Sequence, residues 1–243
     1  LGAVVEITRS SVMLVWRGVL WDYSVGGVRV NKMLMDQILT KSISKTLASF
    51  FLAFAMSQNV AAQDKPRMTM KTYSVVSAFE LPPWSAGFDI LETSEIFRNE
   101  GKAEAGHNFF IWEAIPKGES FEDWTKLFGL TAENPLNGDL ERFANGQVNQ
   151  YQTACDNPAV QFSDTTPNTK KLFVVYCPSY KDRPETGEVA FFNMQLIDNT
   201  LVKNYFHVLV PKFDLSDANA LPLSSEEMIR ILTNIGSLKL ITQ

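Results

Sequence analysis

Cys155 and Cys177 are the only cysteines, and His107 and His207 the only histidines, in a chain of 243 residues. An even pair of cysteines in an oxidising compartment most often forms a disulfide, and this pair is read so. Two buried free thiols, or a reactive cysteine, are the alternatives. A bridge between them would stabilise the fold by about 3 kcal/mol on the chain-entropy model. No C-x-x-C occurs, so neither thioredoxin-type chemistry nor a cysteine-rich zinc site is supported.

His107 lies in a loop bounded by glycine and His207 on the mixed face of a strand. Both are read as plain surface or interface residues. The H-E-x-x-H spacing of a zinc enzyme is absent, and no metal ligand is assigned. A Ser-His-Asp triad has members remote in sequence and stays open, but there is no G-x-S-x-G elbow. P-loop and G-x-G-x-x-G motifs are also absent. No catalytic or cofactor-binding residue is assigned on these grounds.

Asp182, Glu185 and Glu188 sit in the segment KDRPETGE. They could gather near a cation, yet Pro184 and Gly187 suit a solvated hairpin turn, and that reading is preferred. A retaining glycosidase needs two carboxylates about 5 Å apart, which leaves an Asp/Glu-dependent hydrolase as an alternative function. Among the aromatics, Trp112, Trp124 and most phenylalanines have core-like spacing. Trp84 follows Pro82-Pro83 in a loop, where a large ring either plugs the core edge or reaches a partner. It is the candidate partner contact.

These residues need elements to position them. Residues 71–79 read as a first strand, ended by Pro82-Pro83. Residues 88–97 read as a strand, with a helix that places Ile90-Leu91 and Ile96-Phe97 on one face as the alternative; 101–106 read as a polar loop and 108–115 as a strand. Ser120, with Asp123 three residues on, predicts a capped helix burying Phe121, Trp124, Leu127 and Phe128. A second helix is predicted over 138–154, burying Leu140, Phe143, Ala144, Gln147, Val148 and Tyr151. Short and central strands follow at 159–162 and 171–177. Residues 187–197 and 201–210 form a hairpin. Its loop is read as the three residues Asp198 to Thr200, which sorts polar from apolar pairs better than a two-residue loop; Asn204 remains on the apolar face without explanation. Ser224 with Glu227 is a capping box for a last helix, with Met228, Ile229, Ile231, Leu232 and Ile235 inward and Gly236 at a left-handed C′ position.

The amino-terminal quarter reads differently. Residues 1–32 show no persistent period and are taken as upstream translation or a disordered extension, with Met33 or Met35 the initiator; a genuine extension is the alternative. Residues 33–62 read as a signal peptide, with Lys41 and Lys45 preceding the apolar run Leu47 to Met56. Val60 and Ala62 suit cleavage before Gln63. Ten apolar residues make about 15 Å of helix, half of the ~30 Å hydrocarbon core, so an anchor is disfavoured. Residues 63–243 are then one globular domain, in the periplasm or secreted. The chain carries 22 Lys+Arg against 27 Asp+Glu. That acidic balance, which falls after residue 62, disfavours nucleic acid and anionic membranes as partners.

The order of elements resembles the PsbP-like α/β/α sandwich of small exported bacterial proteins. The residues that carry the resemblance are GESFEDWTKLF at 118–128, CPSY with TGEVAFFNMQLIDNTL within 177–201, and SSEEMIRIL at 224–232. The resemblance implies an accessory or binding role without a shared active site, so no functional residue is carried over. The expected fold is α+β, an antiparallel meander sheet covered by helices. The expected function is a non-enzymatic binding or accessory protein. Its partner would be another exported protein or a small apolar ligand, the latter held in an open sheet cavity lined by Trp112 or Phe192.

Overall fold

The computed structural model describes residues 5–8, 11–14, 67–85, 89–163, 169–217 and 221–242. The chain divides into two units. The first holds residues 1–60 and 214–221. Within it β1 (Val5–Thr8) pairs antiparallel with β2 (Ser11–Leu14). The segment read as a signal peptide lies outside the described residues.

The second unit holds residues 61–213 and 222–243. It is dominated by a seven-stranded antiparallel sheet in the order β5-β6-β7-β13-β12-β10-β9. The strands are β5 (Ser94–Lys102), β6 (Asn108–Pro116), β7 (Lys126–Asn134), β9 (Ala159–Phe162), β10 (Lys170–Cys177), β12 (Thr186–Ile197) and β13 (Thr200–Pro211). This order is not one continuous meander. Two antiparallel blocks meet where β7 pairs with β13.

A second, three-stranded sheet has the order β14-β4-β3, from β3 (Arg67–Thr72), β4 (Val75–Glu80) and β14 (Lys239–Thr242). The single strand expected over 71–79 is therefore a hairpin, turning at Tyr73, whose φ is 56°. Among the described residues helices are few: one turn at α1 (Ile90–Thr93), then α2 (Leu140–Ala154) and α3 (Ser225–Gly236). The molecule is α+β but sheet-dominated, with less helical cover than the sequence suggests.

The largest correction concerns residues 120–128. Ser120 does accept a bond from the Asp123 amide at 3.2 Å, and Glu119 accepts from the Thr125 amide at 2.8 Å. These bonds close a turn, and β7 begins at Lys126 instead of a helix. An eight-residue helix is marginal alone. Here Phe128 and Leu130 find ladder partners on both sides, in β6 and β13, and Leu127 finds one in β13. The expected strand over 88–97 likewise gives way at its start, where Asp89 caps α1 by accepting from the Leu91 amide.

The β12–β13 hairpin is also corrected. Its loop has two residues, with Ile197 opposite Thr200, Asn193 opposite Asn204 and Ala190 opposite His207. Asp198 and Asn199 both adopt positive φ, 47° and 57°, as a twist-matched type I′ turn requires and as Asp and Asn tolerate. Sorting by polarity misleads because both faces of β12 are covered, so burial runs unbroken from Gly187 to Met194. Asn193 donates to the Ile235 carbonyl at 2.7 Å and Asn204 to the Gly129 carbonyl at 2.9 Å, while the buried Asn204 Oδ1 has no hydrogen-bond partner among the described residues.

On one face, α2 packs Leu140, Ala144, Val148 and Tyr151 against Phe173, Val175, Ala190, Phe192 and Met194. The other face meets α3 and the small sheet, where Phe79 lies against Trp112 and Phe128. Capping by Ser224 and Glu227 forms as expected. Gly236 is the last helical residue, not a left-handed cap; Ser237 closes the helix in right-handed conformation.

Candidate functional site

Cys155 ends α2 and Cys177 ends β10, and the two are bonded, with Cα atoms 5.5 Å apart. Two short strands, β8 (Cys155–Asp156) and β11 (Ser179–Tyr180), pair beside the bridge. Both cysteines are buried. The bridge pins the carboxyl end of α2 to the sheet one turn after Tyr151.

That pinning places a polar cluster between α2 and the sheet. Alternation along β13 turns Lys203, Tyr205 and His207 to the α2 side. Glu188 of β12, only 1% exposed, faces them. Its Oε1 accepts from the Tyr151 hydroxyl at 2.9 Å and lies 2.6 Å from His207 Nδ1. Next along the strand, the Tyr205 hydroxyl donates to Glu113, and Lys203 Nζ donates to Gln147 Oε1 at 2.8 Å. Lys203 Nζ also lies 5.1 Å from the Tyr205 ring centroid. The Tyr205 ring fits because residue 129 is glycine; a Cβ there would meet it at 2.3 Å.

Burial, and then the neighbouring carboxylates, push the Tyr151 and Tyr205 hydroxyls well above the ordinary phenol range. Burial lowers the Lys203 ammonium, while Glu133 and Glu113 oppose that shift. Chemically, Glu188 holds the His207 ring as the carboxylate of a general-base dyad would, leaving Nε2 to act. Yet Nε2 is enclosed and without a hydrogen-bond partner, and the Trp124 ring stands edge-on at 6.3 Å.

These placements correct two expectations. His207 is not a plain surface residue, and Glu188 is not part of a solvated carboxylate turn; Asp182 and Glu185 remain exposed while Glu188 is buried. His107 is elsewhere, its Nε2 2.9 Å from Glu133. Among the described residues no group of three or more His, Cys, Asp or Glu is placed to hold a metal ion. Trp112 and Phe192 are both buried and packed against other rings: Trp112 stands against Phe128, and Phe192 stacks on Phe173.

The opposite face of β13 builds a different feature. Phe206 and Val208 point toward α3, and Trp84 stands beside them, its ring 5.6 Å from Phe206. Trp84 belongs to a single 3-10 turn, Pro83–Ser85, that begins at the second proline. Its Nε1 donates to Ser94 Oγ at 2.9 Å. The loop is tied to α3, since Asn234 donates to the Leu81 carbonyl at 2.6 Å and the Glu80 amide to Ser237 Oγ at 3.1 Å. Between them lies a cleft of about 150 Å³, with Pro83, Trp84, Phe206, Val208, Leu223 and Ile231 as walls and Lys126, Glu227 and Arg230 as its charged lining. Trp84 thus neither plugs the core completely nor stands free. Charges spaced across β7 and α3 carry no local motif, which is why sequence reading missed this lining.

No protein-family model matches the chain, and neither does any curated protein. Among solved structures it is similar to a mutant of the protein Mog1, at 12% identity and a TM-score of 0.41, over 72% of this chain and 95% of that one. A likeness of that size carries no argument about function. No described helix is long and apolar enough to cross a membrane.

Proposed function

We propose that this chain is an exported, non-enzymatic binding or accessory protein whose contact site is the Trp84 cleft. The cleft is the observation that carries the reading. It combines an aromatic wall, an apolar floor and a few polar groups at its edge, the usual make-up of a small-molecule or side-chain pocket. The buried disulfide favours an oxidising compartment, in keeping with the leader read at 33–62. The reactive-looking groups under α2 are largely bonded to one another and mostly buried. A resemblance to the PsbP-like family, and the α/β/α layering it implies, stays part of this proposal.

A ligand-detected magnetic resonance screen of small aromatic and aliphatic compounds tests it, with Trp84→Phe as the comparator. Hits that weaken in the variant are expected. A screen in which the variant binds every hit as well as the parent chain overturns the cleft as the site.

One observation favours a second reading. The Glu188–His207 pair with an unpartnered Nε2 is the form a hydrolytic base takes. Ester, peptide or glycoside turnover that disappears in His207→Gln would replace the binding role with that one.

A further inference from the structure

We infer that the Trp84 cleft takes a small organic acid: one apolar body of about ring size carrying a single carboxylate. This rests on the cleft being the binding site. The charges of its lining argue for it. Three side chains are ionisable there, Lys126, Glu227 and Arg230. Glu227 is already committed. Its Oε2 accepts from the Ser224 amide at 3.2 Å and from the Ser224 hydroxyl at 3.0 Å. Those bonds hold its carboxyl below the ordinary range, and Arg230 and Lys126 add to the effect from a distance.

Neither cation is paired in return. Among the described residues, the ion pairs run between other groups, and Lys126 and Arg230 form none. Both are exposed. The lining therefore carries a surplus positive charge in a chain whose formal net charge is −5. A neutral apolar ligand would use the floor and leave that surplus idle. A cation would meet two like charges. An apolar acid satisfies both, with its body against Trp84 and Phe206 and its carboxylate toward Lys126 and Arg230. The cleft volume of about 150 Å³ bounds the body to a single ring or a short aliphatic chain.

The test compares phenylacetate with 2-phenylethanol, which share a body and differ in charge. Binding to the full chain is read by calorimetry and by Trp fluorescence. Phenylacetate is expected to bind ~10-fold more tightly, about 1.4 kcal/mol, and to weaken as salt rises because the cations are exposed. The double variant Lys126→Gln, Arg230→Gln changes exposed side chains only and should erase the preference, bringing phenylacetate down to the affinity of 2-phenylethanol. Equal affinity for the two probes overturns the inference but leaves the cleft as a binding site. Phenylacetate binding that survives the double variant also overturns it. Loss of binding by both probes in Trp84→Phe, with the preference intact in the parent chain, supports it.

Discussion

Consecutive residues of β13 face two environments. His207 turns toward α2 into a closed set of titratable groups, while Phe206 and Val208 turn toward α3 and floor an open cleft. Under α2 the polar groups depend on one another: Tyr151 and His207 share one Glu188 oxygen, and Tyr205 leans on Glu113. Removing a member strands a buried partner. Around the cleft the charges stand in water and the contacts below them are apolar. Stability is concentrated on the first side, and room for a ligand on the second.

The comparison breaks most directly at Glu188. Glu188→Ala should cost about 3–5 kcal/mol, because Tyr151 and His207 are left buried without their shared acceptor. Urea unfolding measures it. A loss below about 1 kcal/mol would mean the cluster does not hold α2 in place.

The disulfide comes next. Cys155→Ala with Cys177→Ala should lower stability by about 3 kcal/mol, from the 22-residue separation it closes. Probe binding at the Trp84 cleft should persist, since the bridge anchors α2 and not α3. Cleft binding lost in a still-folded variant would show the two faces to be coupled.

The two buried tyrosines predict an alkaline limit. In the unfolded chain they ionise near pH 10. In the folded chain they keep their protons to higher pH. The folded state therefore binds more protons above about pH 10, and stability falls as pH rises through that window, by up to about 1.4 kcal/mol per pH unit for each tyrosine. Below pH 10 they add no slope. Tyr151→Phe should remove one tyrosine's share of the slope, measured by thermal melts across the alkaline range. An unchanged slope would mean Tyr151 is not protected.

The smallest effect belongs to the cleft side. Ser224→Ala should cost about 1 kcal/mol by unmaking the cap of α3. It also frees Glu227, so phenylacetate should bind more weakly as a competing carboxylate comes loose beside Arg230. Tighter or unchanged phenylacetate binding would count against a committed Glu227.

Much of the fold was legible in local patterns. The α2 periodicity, the Ser224–Glu227 box, the β10 run and the cysteine pair all rest on interactions within a few residues or on a compartment argument. The failures came where local preference met a neighbour distant in sequence. Ser120 and Asp123 look like a helix start, but β6 and β13 compete for the residues that follow. Apolar alternation cannot set a register when both faces are covered.

That register is also what assembles the polar cluster. A three-residue loop would place His207 opposite Phe191 and turn it away from Glu188. The two-residue turn at Asp198-Asn199 pairs His207 with Ala190 and brings the imidazole to the carboxylate. Sequence alone determined which elements carry strong local signals, that two cysteines were available to pair, and that Trp84 stood apart from the core pattern. Only the tertiary structure decided that Glu188, Tyr151 and His207 meet, and that Lys126 and Arg230 flank Trp84. The reason is physical: capping and periodicity are short-range and written in adjacent residues, whereas both sites join side chains from strands and helices whose contacts depend on pairing register and on what packs above the sheet.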